Sequence, residues 1–280
     1  LHDCWPMTGH CAHFEYFNCG RWKIGCHDCP NIGGYPKSIL IDMSKRNFEK
    51  KRGLFTSVGN LTIVTPSQWL GRIVKESFLK DYPVSVIHNG VDLGVFKPCR
   101  NESILDRYHI DKKRKIILGV ANVWTKRKGF ADFMKLSSML DDKCQIVLLG
   151  LTEKQIHNLP ANIVGLRRTE SVADLAQLYS AADVFVNPTY VDNFPTTNIE
   201  ALACGTPVVT YKTGGSPEAV DEATGRVVGK GDVLALHKAI SGILHTGKGQ
   251  YLSLCRQRAI DLYDKNDRFM DYIRLYNSVL

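Results

Sequence analysis

The chain has 280 residues, of which 44% are hydrophobic and 23% are charged, so it can bury a sizeable core and does not belong to the disordered class. No apolar run reaches the length of a membrane span. The formal net charge of +8 favours anionic partners: a nucleotide phosphate, an acidic lipid surface or nucleic acid.

The N-terminus, "LHDCW", has no initiator Met and no signal-peptide core. We therefore expect that further residues precede this segment in the natural protein. Apart from a cluster in residues 4–29, the cysteines are scattered along the chain. That distribution is typical of a reduced, cytoplasmic protein.

Alternating strand-like and helix-like segments begin near residue 61. Residues 61–67 predict a strand, and residues 67–79 have helical spacing with Ser67 as the N-cap. Residues 84–92 predict a second strand that runs into a turn. Residues 93–114 are polar and irregular, so we expect a domain boundary there.

A more regular series of strands and helices follows. The predicted strands have continuous apolar runs, which is typical of parallel strands covered on both faces. They lie at 115–120, 144–150, 162–165, 183–187 and 206–210. The predicted helices lie at 129–140, 171–181, 196–204 and 232–245. This pattern predicts a doubly wound α/β domain over roughly residues 100–265.

Ligands of such sheets bind beyond the carboxyl ends of the strands. Three loops at predicted strand ends are therefore candidates: 121–129, 188–198 and 211–218. The C-terminal segment, residues 251–280, has helical spacing throughout. Its aromatic stripe, which we expect to pack against other helices, consists of Tyr263, Phe269, Tyr272 and Tyr276.

The loop 121–129 places three cations directly before a glycine and a predicted helix: Lys126, Arg127 and Lys128. Cations and helix N–H groups at a strand-to-helix turn suit a pyrophosphate. The alternative is a solvated basic turn. Neither GxGxxG after a strand nor GxxxxGK[ST] occurs, so neither a dinucleotide fingerprint nor a P-loop is predicted.

The second loop continues into a helix that carries two acidic residues, Asp192 and Glu200. Thr197-x-x-Glu200 fits a capping box, which is a sufficient structural explanation of the glutamate. A functional alternative, compatible with the first, is that Glu200 lies in the first helical turn and accepts hydrogen bonds from two vicinal ribose hydroxyls. The N–H groups of 194–197 would then face phosphate or sugar oxygens.

The run "DNFPTTNIE", followed by "ALACGTPVV" and "GGSPEAV", resembles the Glu-x7-Glu region of family-4 retaining glycosyltransferases of the GT-B fold. "IVTPSQWL", "VIHNGVDLGVFKP" and "LGVANVWTKRKG" are similar to other landmarks of that family, in the same order. The opening "LHDCWPMTGHCAHF" resembles a segment of its bacterial exopolysaccharide and capsule branch.

This resemblance implies an α/β fold of GT-B type with two Rossmann-like doubly wound domains, the N-terminal one incomplete. Residues 1–95 would be the C-terminal part of the acceptor-side domain, and residues 96–265 would bind the donor nucleotide sugar. Residues 266–280 would form a helix that packs back towards the N-terminal domain.

The resemblance also assigns roles to residues. Arg127 and Lys128 would neutralise the donor diphosphate, and Glu200 would hold the ribose. Asp192 would contact the donor sugar, and His2 would face the transferring sugar. The remaining donor-binding positions are Gly165, where the backbone meets the base, and Asn193, Phe194, Pro195, Thr196 and Thr197.

Two departures from the family pattern concern the donor site. Asp192 stands where the family usually has a glutamate, which sets the carboxylate about one methylene further back. The arginine usually found several residues before the Lys-Gly pair is not clearly present, and Arg127 is the residue that could replace it.

The implied reaction moves a sugar from a nucleotide-diphosphate sugar to a glycan or lipid-linked acceptor, with retention of configuration, in polysaccharide biosynthesis. The front-face mechanism needs no enzyme nucleophile. No "DxD" follows an apolar strand, so no catalytic divalent metal is expected, and no nucleic-acid partner is expected. Alternatives are a non-catalytic nucleotide-sugar-binding subunit and a GT-B nucleotide-sugar epimerase.

Four cysteines form a C-x7-C-x6-C-x2-C pattern: Cys11, Cys19, Cys26 and Cys29. A CxxC pair joined to two further cysteines indicates a structural zinc site. Buried free thiols or a redox pair are the alternatives. The basic run at residues 45–52 is either a solvated helix face or a surface that contacts an anionic membrane from the cytoplasmic side.

Overall fold

The computed structural model describes residues 1–38, 40–99 and 103–279. The chain divides into two compact units, Leu1–His88 and Asn89–Leu280. The ranges 1–95, 96–265 and 266–280 stay predictions, as does packing of the last segment towards the N-terminal domain. Residue 280 itself lies outside the described residues.

The second unit contains a parallel sheet, which forms because its strands carry continuous apolar runs that helices cover on both faces. All five predicted strands are confirmed to within about two residues, and a sixth, Gly225–Val228, was not predicted. The strands of this sheet are β3 (Lys115–Val120), β4 (Cys144–Leu149), β5 (Ile163–Leu166), β6 (Val184–Asn187), β7 (Val208–Tyr211) and β8 (Gly225–Val228).

The spatial order of these strands is β5-β4-β3-β6-β7-β8. Counted within the domain, this is the order 3-2-1-4-5-6 of a dinucleotide-type doubly wound sheet. The direction of winding reverses between β3 and β6, which pair in parallel through Ile117–Val184 and Leu118–Phe185. In such folds the ligand crevice lies at this reversal, beyond the carboxyl ends of the two strands.

Helices connect the strands of the second unit and continue after them. The four helices predicted in the βα series are confirmed as Phe130–Ser137, Val172–Ala181, Thr196–Ala203 and Val233–Thr246, with ends that differ from the prediction by a few residues. The helices of this unit are α3 (Ser103–Arg107), α4 (Phe130–Ser137), α5 (Glu153–Ile156), α6 (Val172–Ala181), α7 (Thr196–Ala203), α8 (Val233–Thr246), α9 (Leu252–Tyr263) and α10 (Lys265–Val279).

The first unit has a smaller parallel sheet of two strands. Its predicted helix is confirmed, and Ser67 caps it, since its side chain accepts a hydrogen bond from the Leu70 N–H at 3.1 Å. Before residue 44 the described residues of this unit form only short 3-10 turns and loops. The elements are α1 (Ser44–Thr56), β1 (Ile63–Thr65), α2 (Gln68–Lys75) and β2 (Val84–Val86).

The C-terminal segment is helical as predicted but breaks at Asp264, which is extended (ψ 125°) and bridges to Val91. The predicted packing of its aromatic stripe is only partly correct. Tyr263 is buried against Phe194 with 5.8 Å between ring centroids, whereas Phe269 remains 63% exposed. No helix within the described ranges is long and apolar enough to cross a bilayer.

Lys248 is half-buried as a residue, but its ammonium group is enclosed at the C-terminal end of α6, where helix carbonyls lack intrahelical partners. Its ammonium group donates to the carbonyl oxygens of Ser180 at 2.5 Å and Ala182 at 2.8 Å. Burial lowers the pKa of Lys248 to about 8. The thiols of Cys204 and Cys255 are fully buried, and burial raises the pKa of each to about 12.

These groups predict that the second unit loses stability as pH rises above about 9, the ordinary pKa of a thiol. There the unfolded chain releases the Cys204 and Cys255 protons that the folded chain keeps, at a cost of about 1.4 kcal/mol per thiol per pH unit. Lys248 has the opposite effect on stability between about pH 8 and pH 10.5, because its pKa is lower in the folded chain than in the unfolded chain. The loss of stability from the two thiols is larger than the gain from this one amine.

Urea unfolding at pH 8.5, 10 and 11 checks this expectation. We expect a falling free energy of unfolding and a shallower slope for Cys255→Ala. Equal slopes for the wild type and the variant would show that Cys255 does not carry the effect.

Candidate functional site

The candidate site lies at the carboxyl ends of β3 and β6, where the winding of the sheet reverses. A backbone hydrogen bond joins the loop after β3 to the loop after β6: the Tyr190 N–H donates to the Arg127 carbonyl at 2.8 Å. A Cβ on Gly129 would lie 2.2 Å from the Pro188 carbonyl oxygen, so only glycine permits this approach. Gly129 also has a φ of 79°, which glycine adopts without strain.

The three predicted cations form one 3-10 turn, Lys126–Lys128, capped by the side chain of Thr125. They do not share one environment. Lys126 is exposed, whereas Arg127 and Lys128 are partly buried and reach the loop after β6. The Arg127 guanidinium donates to the Val191 carbonyl oxygen at 3.0 Å. The turn therefore presents two positioned cations and one solvated one.

Lys128 and Asp192 form an ion pair with 2.6 Å between Nζ and the carboxylate oxygen. Their side chains are only 26% and 18% exposed, so solvent screens this pair less than a surface pair. The structure thus brings together two candidates that lie 64 residues apart in sequence. An incoming anion would share the Lys128 ammonium with Asp192.

The loop after β7 supports Asp192 from the other side. The Gly215 N–H donates to the Asp192 carbonyl oxygen at 3.0 Å. A Cβ on Gly214 would lie 1.9 Å from that same oxygen, and Gly214 has a φ of 54°. The glycine pair in "KTGGSPE" is therefore needed for close approach of two backbones beside the candidate carboxylate.

The predicted capping box is wrong. Pro195 occupies the N-cap position, and it has no side-chain oxygen that could accept the capping bond. Thr197 is therefore the second residue within α7, and Glu200 is the fifth, in the second turn rather than the first. Its side chain instead accepts a hydrogen bond from the buried Tyr179 hydroxyl at 3.0 Å.

Burial raises the pKa of the Glu200 carboxyl, and hydrogen bonds from Tyr179 and Thr196 act in the opposite direction. Glu200 is thus a largely desolvated carboxylate in the second turn of α7, and the Tyr179 hydroxyl fixes its orientation. Such a group can accept hydrogen bonds from hydroxyl donors at the loop in front of the helix.

The remaining predicted residues of the loop after β6 and the start of α7 differ in exposure. Asn193, Phe194 and Pro195 are buried, while Thr196 is exposed and Thr197 is half-buried. The Phe194 carbonyl accepts a hydrogen bond from the Asn89 amide at 3.2 Å, which fixes the loop against the start of the second unit.

A buried polar network below this loop was not predicted from the sequence. The Asn187 amide donates to Asn198 at 2.8 Å, and the Asn198 amide donates to the Ser216 hydroxyl at 3.0 Å. The Thr210 hydroxyl lies 2.7 Å from that of Ser216. Together these groups tie the ends of β6 and β7 to α7. The feature of the sequence that could have indicated this network is the presence of amide and hydroxyl side chains at the ends of the predicted strands.

Two predicted residues do not belong to the loops after β3, β6 and β7. Gly165 is in β5, where a Cβ would lie 2.4 Å from the Leu159 side chain. His2 belongs to the first unit and is exposed. The roles assigned to these two residues stay predictions.

The four predicted zinc ligands lie around one cavity in the first unit. No set of three or more His, Cys, Asp or Glu side chains among residues 1–38, 40–99 and 103–279 is already arranged to hold a metal ion.

Comparison with known proteins points to one class of enzyme. Residues 114–246, which include the basic turn and α7, match the family model described as "Glycosyl transferases group 1". The chain is 26% identical over 289 aligned residues to an Escherichia coli (strain K12) protein named as the colanic acid biosynthesis glycosyl transferase WcaC. That alignment covers 100% of this chain and 67% of the relative.

Two solved structures show the same fold. Sucrose-phosphate synthase from Thermosynechococcus elongatus superposes with a TM-score of 0.72 at 22% identity, over 90% of this chain and 66% of that one. Anabaena HepE in complex with UDP-glucose superposes with a TM-score of 0.69 at 20% identity, over 83% and 68%. The predicted fold class is confirmed: this is a parallel α/β chain of GT-B type, and residues 114–246 match the group 1 glycosyltransferase model.

Proposed function

We propose that the chain is a family-4 retaining glycosyltransferase of polysaccharide biosynthesis, which moves a sugar from a nucleotide-diphosphate sugar to a glycan or lipid-linked acceptor. The observation that carries the proposal is the convergence of Arg127, Lys128 and Asp192 where the winding of the sheet reverses. Partly buried cations at this position suit a diphosphate, and a carboxylate beside them suits sugar hydroxyls.

Charge builds on the leaving diphosphate as the anomeric C–O bond breaks. Lys128 and Arg127 stabilise that charge from positions held before the reaction, and fixed charges of this kind are the largest catalytic contribution available here. The acceptor oxygen forms the new bond to the anomeric carbon on the face from which the diphosphate departs, and a diphosphate oxygen takes the proton of the acceptor hydroxyl. Asp192 holds Lys128 in place and binds a hydroxyl of the donor sugar.

Glu200 holds the ribose of the donor, and the Tyr179 hydroxyl orients its carboxylate. Backbone N–H groups of residues 193–197 contact the donor, Gly165 lies beside the base, and His2 faces the transferred sugar. Because Arg127 and Lys128 supply positive charge, we propose that diphosphate departure requires no divalent metal.

Incubation of the full chain with labelled UDP- and GDP-sugars and a lipid-linked acceptor extract tests this function. We expect transfer with retained configuration that persists in EDTA and is lost in Asp192→Ala and Glu200→Ala. A C2-epimerised sugar would identify an epimerase instead. Nucleotide binding without any turnover would identify a non-catalytic binding subunit.

The first unit is proposed to contact an anionic membrane that carries the acceptor. The exposed cations of α1 include Lys45, Arg46 and Lys50, and Leu54 on the same helix is 59% exposed. Lys51, although in the basic run, does not belong to this surface. It is buried, and its Nζ lies 3.3 Å from the Trp5 ring centroid.

Sedimentation with phosphatidylglycerol vesicles tests the membrane contact. We expect binding that weakens at least several-fold in Lys45→Glu/Arg46→Glu and is unchanged in Lys113→Glu, an exposed cation of the second unit. Equal binding to uncharged phosphatidylcholine vesicles would contradict an electrostatic contact.

A further inference from the structure

A cavity in the first unit collects side chains that none of the donor-site roles uses. Its lining includes four thiols and an imidazole: Cys11, Cys19, Cys26, Cys29 and His10. Phe14 and Trp22, whose ring centroids lie 4.7 Å apart, form an apolar part of its wall. The cavity is therefore both rich in metal-binding atoms and partly shielded from water.

The four thiols line this one cavity although they span 19 positions of the sequence. Cys11 is buried, and Cys19, Cys26 and Cys29 are half-buried. Four thiols around one cavity are more than packing of the loops requires.

The backbone around the CxxC pair is arranged to support sulfur ligands. The Gly9 N–H donates to Cys26 Sγ at 3.1 Å. Hydrogen bonds of this kind stabilise and orient metal-bound thiolates. The Arg21 guanidinium donates to the carbonyls of His27 and Asp28, the two residues between the cysteines, and fixes that turn.

His10 gives an independent indication of a ligand. Its side chain lines the same cavity and the residue is only 9% exposed. Among the described residues its Nε2 has no hydrogen-bond partner. A buried, unsatisfied nitrogen is costly, and a thiol of this cavity that becomes a metal-bound thiolate would give the imidazole N–H a charged hydrogen-bond acceptor.

Residues 1–43, which include the cavity, have little regular secondary structure to stabilise them. Where residues 1–43 are described, they contain three short 3-10 turns and neither an α-helix nor a β-strand. Long segments without regular structure are uncommon in compact domains, and small cores of this kind usually depend on disulfides or a metal. None of the cysteines in the described residues is disulfide-bonded.

We propose that this cavity is a structural zinc site in which Cys11, Cys19, Cys26 and Cys29 are the four ligands and His10 lies beside them. Binding is redox-neutral: each thiol releases one proton, and four Zn–S bonds form. Because the side chains are not yet arranged to hold a metal, zinc would draw the surrounding loops together. Four thiolates close the coordination shell, so the ion has no open position for catalysis.

Metal analysis of the purified full chain tests the site directly. We expect about one zinc per chain in the wild type and in Cys99→Ser, which removes a thiol of the second unit. We expect less than a tenth of that in Cys26→Ser/Cys29→Ser. Zinc below about 0.2 per chain in wild type prepared with added zinc would overturn the proposal.

A second measurement keeps the test valid if the double variant fails to fold. In the wild type, alkylation followed by mass analysis should leave these four cysteines unmodified until a chelator is added. Cobalt substitution should give the absorption of a four-sulfur site. Immediate alkylation, loss of two hydrogens per cysteine pair, or a three-sulfur-one-nitrogen spectrum would each contradict the assignment.

Discussion

Replacing Lys128 with methionine is expected to weaken UDP binding by about 10- to 100-fold. A hydrogen bond between a charged donor and an anion contributes about 1.5–3 kcal/mol, and each 1.4 kcal/mol is tenfold in affinity. The substitution also leaves Asp192, now 2.6 Å from the Lys128 ammonium, as an unpaired carboxylate near the diphosphate. Repulsion between the two anions should add to the loss.

Lys126→Met is the matched control, because Lys126 has the same charge in the same 3-10 turn but is exposed. Calorimetric titration with UDP should show less than about a threefold change for it. Lys128→Met/Asp192→Asn should recover part of the affinity, since it removes the unpaired carboxylate. Equal losses of UDP affinity for Lys126→Met and Lys128→Met would contradict a specific site and indicate nonspecific attraction of UDP to a basic turn.

Replacing Glu200 with glutamine should weaken UDP binding by about 10- to 30-fold with little loss of stability. Glutamine keeps the size of the side chain and an oxygen that can accept from the Tyr179 hydroxyl, so α7 should stay in place. What disappears is the charge that strengthens hydrogen bonds from two ribose hydroxyls, and that difference is of the order of 1.5–2 kcal/mol.

A nucleotide without those hydroxyls separates ribose binding from other effects. The wild type should bind 2′,3′-dideoxyuridine diphosphate more weakly than UDP. Glu200→Gln should bind the two nucleotides almost equally, because the group that distinguishes them is gone. If the variant retains the wild-type preference for UDP, Glu200 does not hold the ribose.

The strands of the second unit could be predicted because their signal is local. Continuous apolar runs such as residues 144–149 are buried along their whole length, and the predicted boundaries agree with the structure to within about two residues. The order of the strands could not be predicted from local patterns, because β3 pairs with β6 across about 67 residues. That pairing brings Lys128 to Asp192.

Glu200 shows how a correct local pattern can predict the wrong contact. Thr197-x-x-Glu200 has the spacing of a capping box, but Pro195 begins the helix two residues earlier and moves Glu200 into its second turn. The partner that it finds instead, Tyr179, is 21 residues away. No spacing rule could have predicted a contact made through tertiary packing.

The prediction for Lys51, within the basic run 45–52, was wrong for the same reason: a tertiary contact determines its environment. Six of the other seven residues in the run are exposed, as a solvated helix face predicts. Lys51 is buried because its ammonium donates to the carbonyls of Trp5 at 2.7 Å and Thr8 at 2.9 Å. Burial lowers its pKa to about 8, so this residue stabilises the N-terminal loops rather than contributing to a surface charge.

A crystal structure of the full chain with UDP is the most direct test of the central claim that a nucleotide diphosphate binds where the winding of the sheet reverses. The account predicts the diphosphate within hydrogen-bonding distance of Arg127 and Lys128, and the ribose hydroxyls against Glu200. UDP bound with its diphosphate away from these cations, or at the amino ends of the strands, would contradict it.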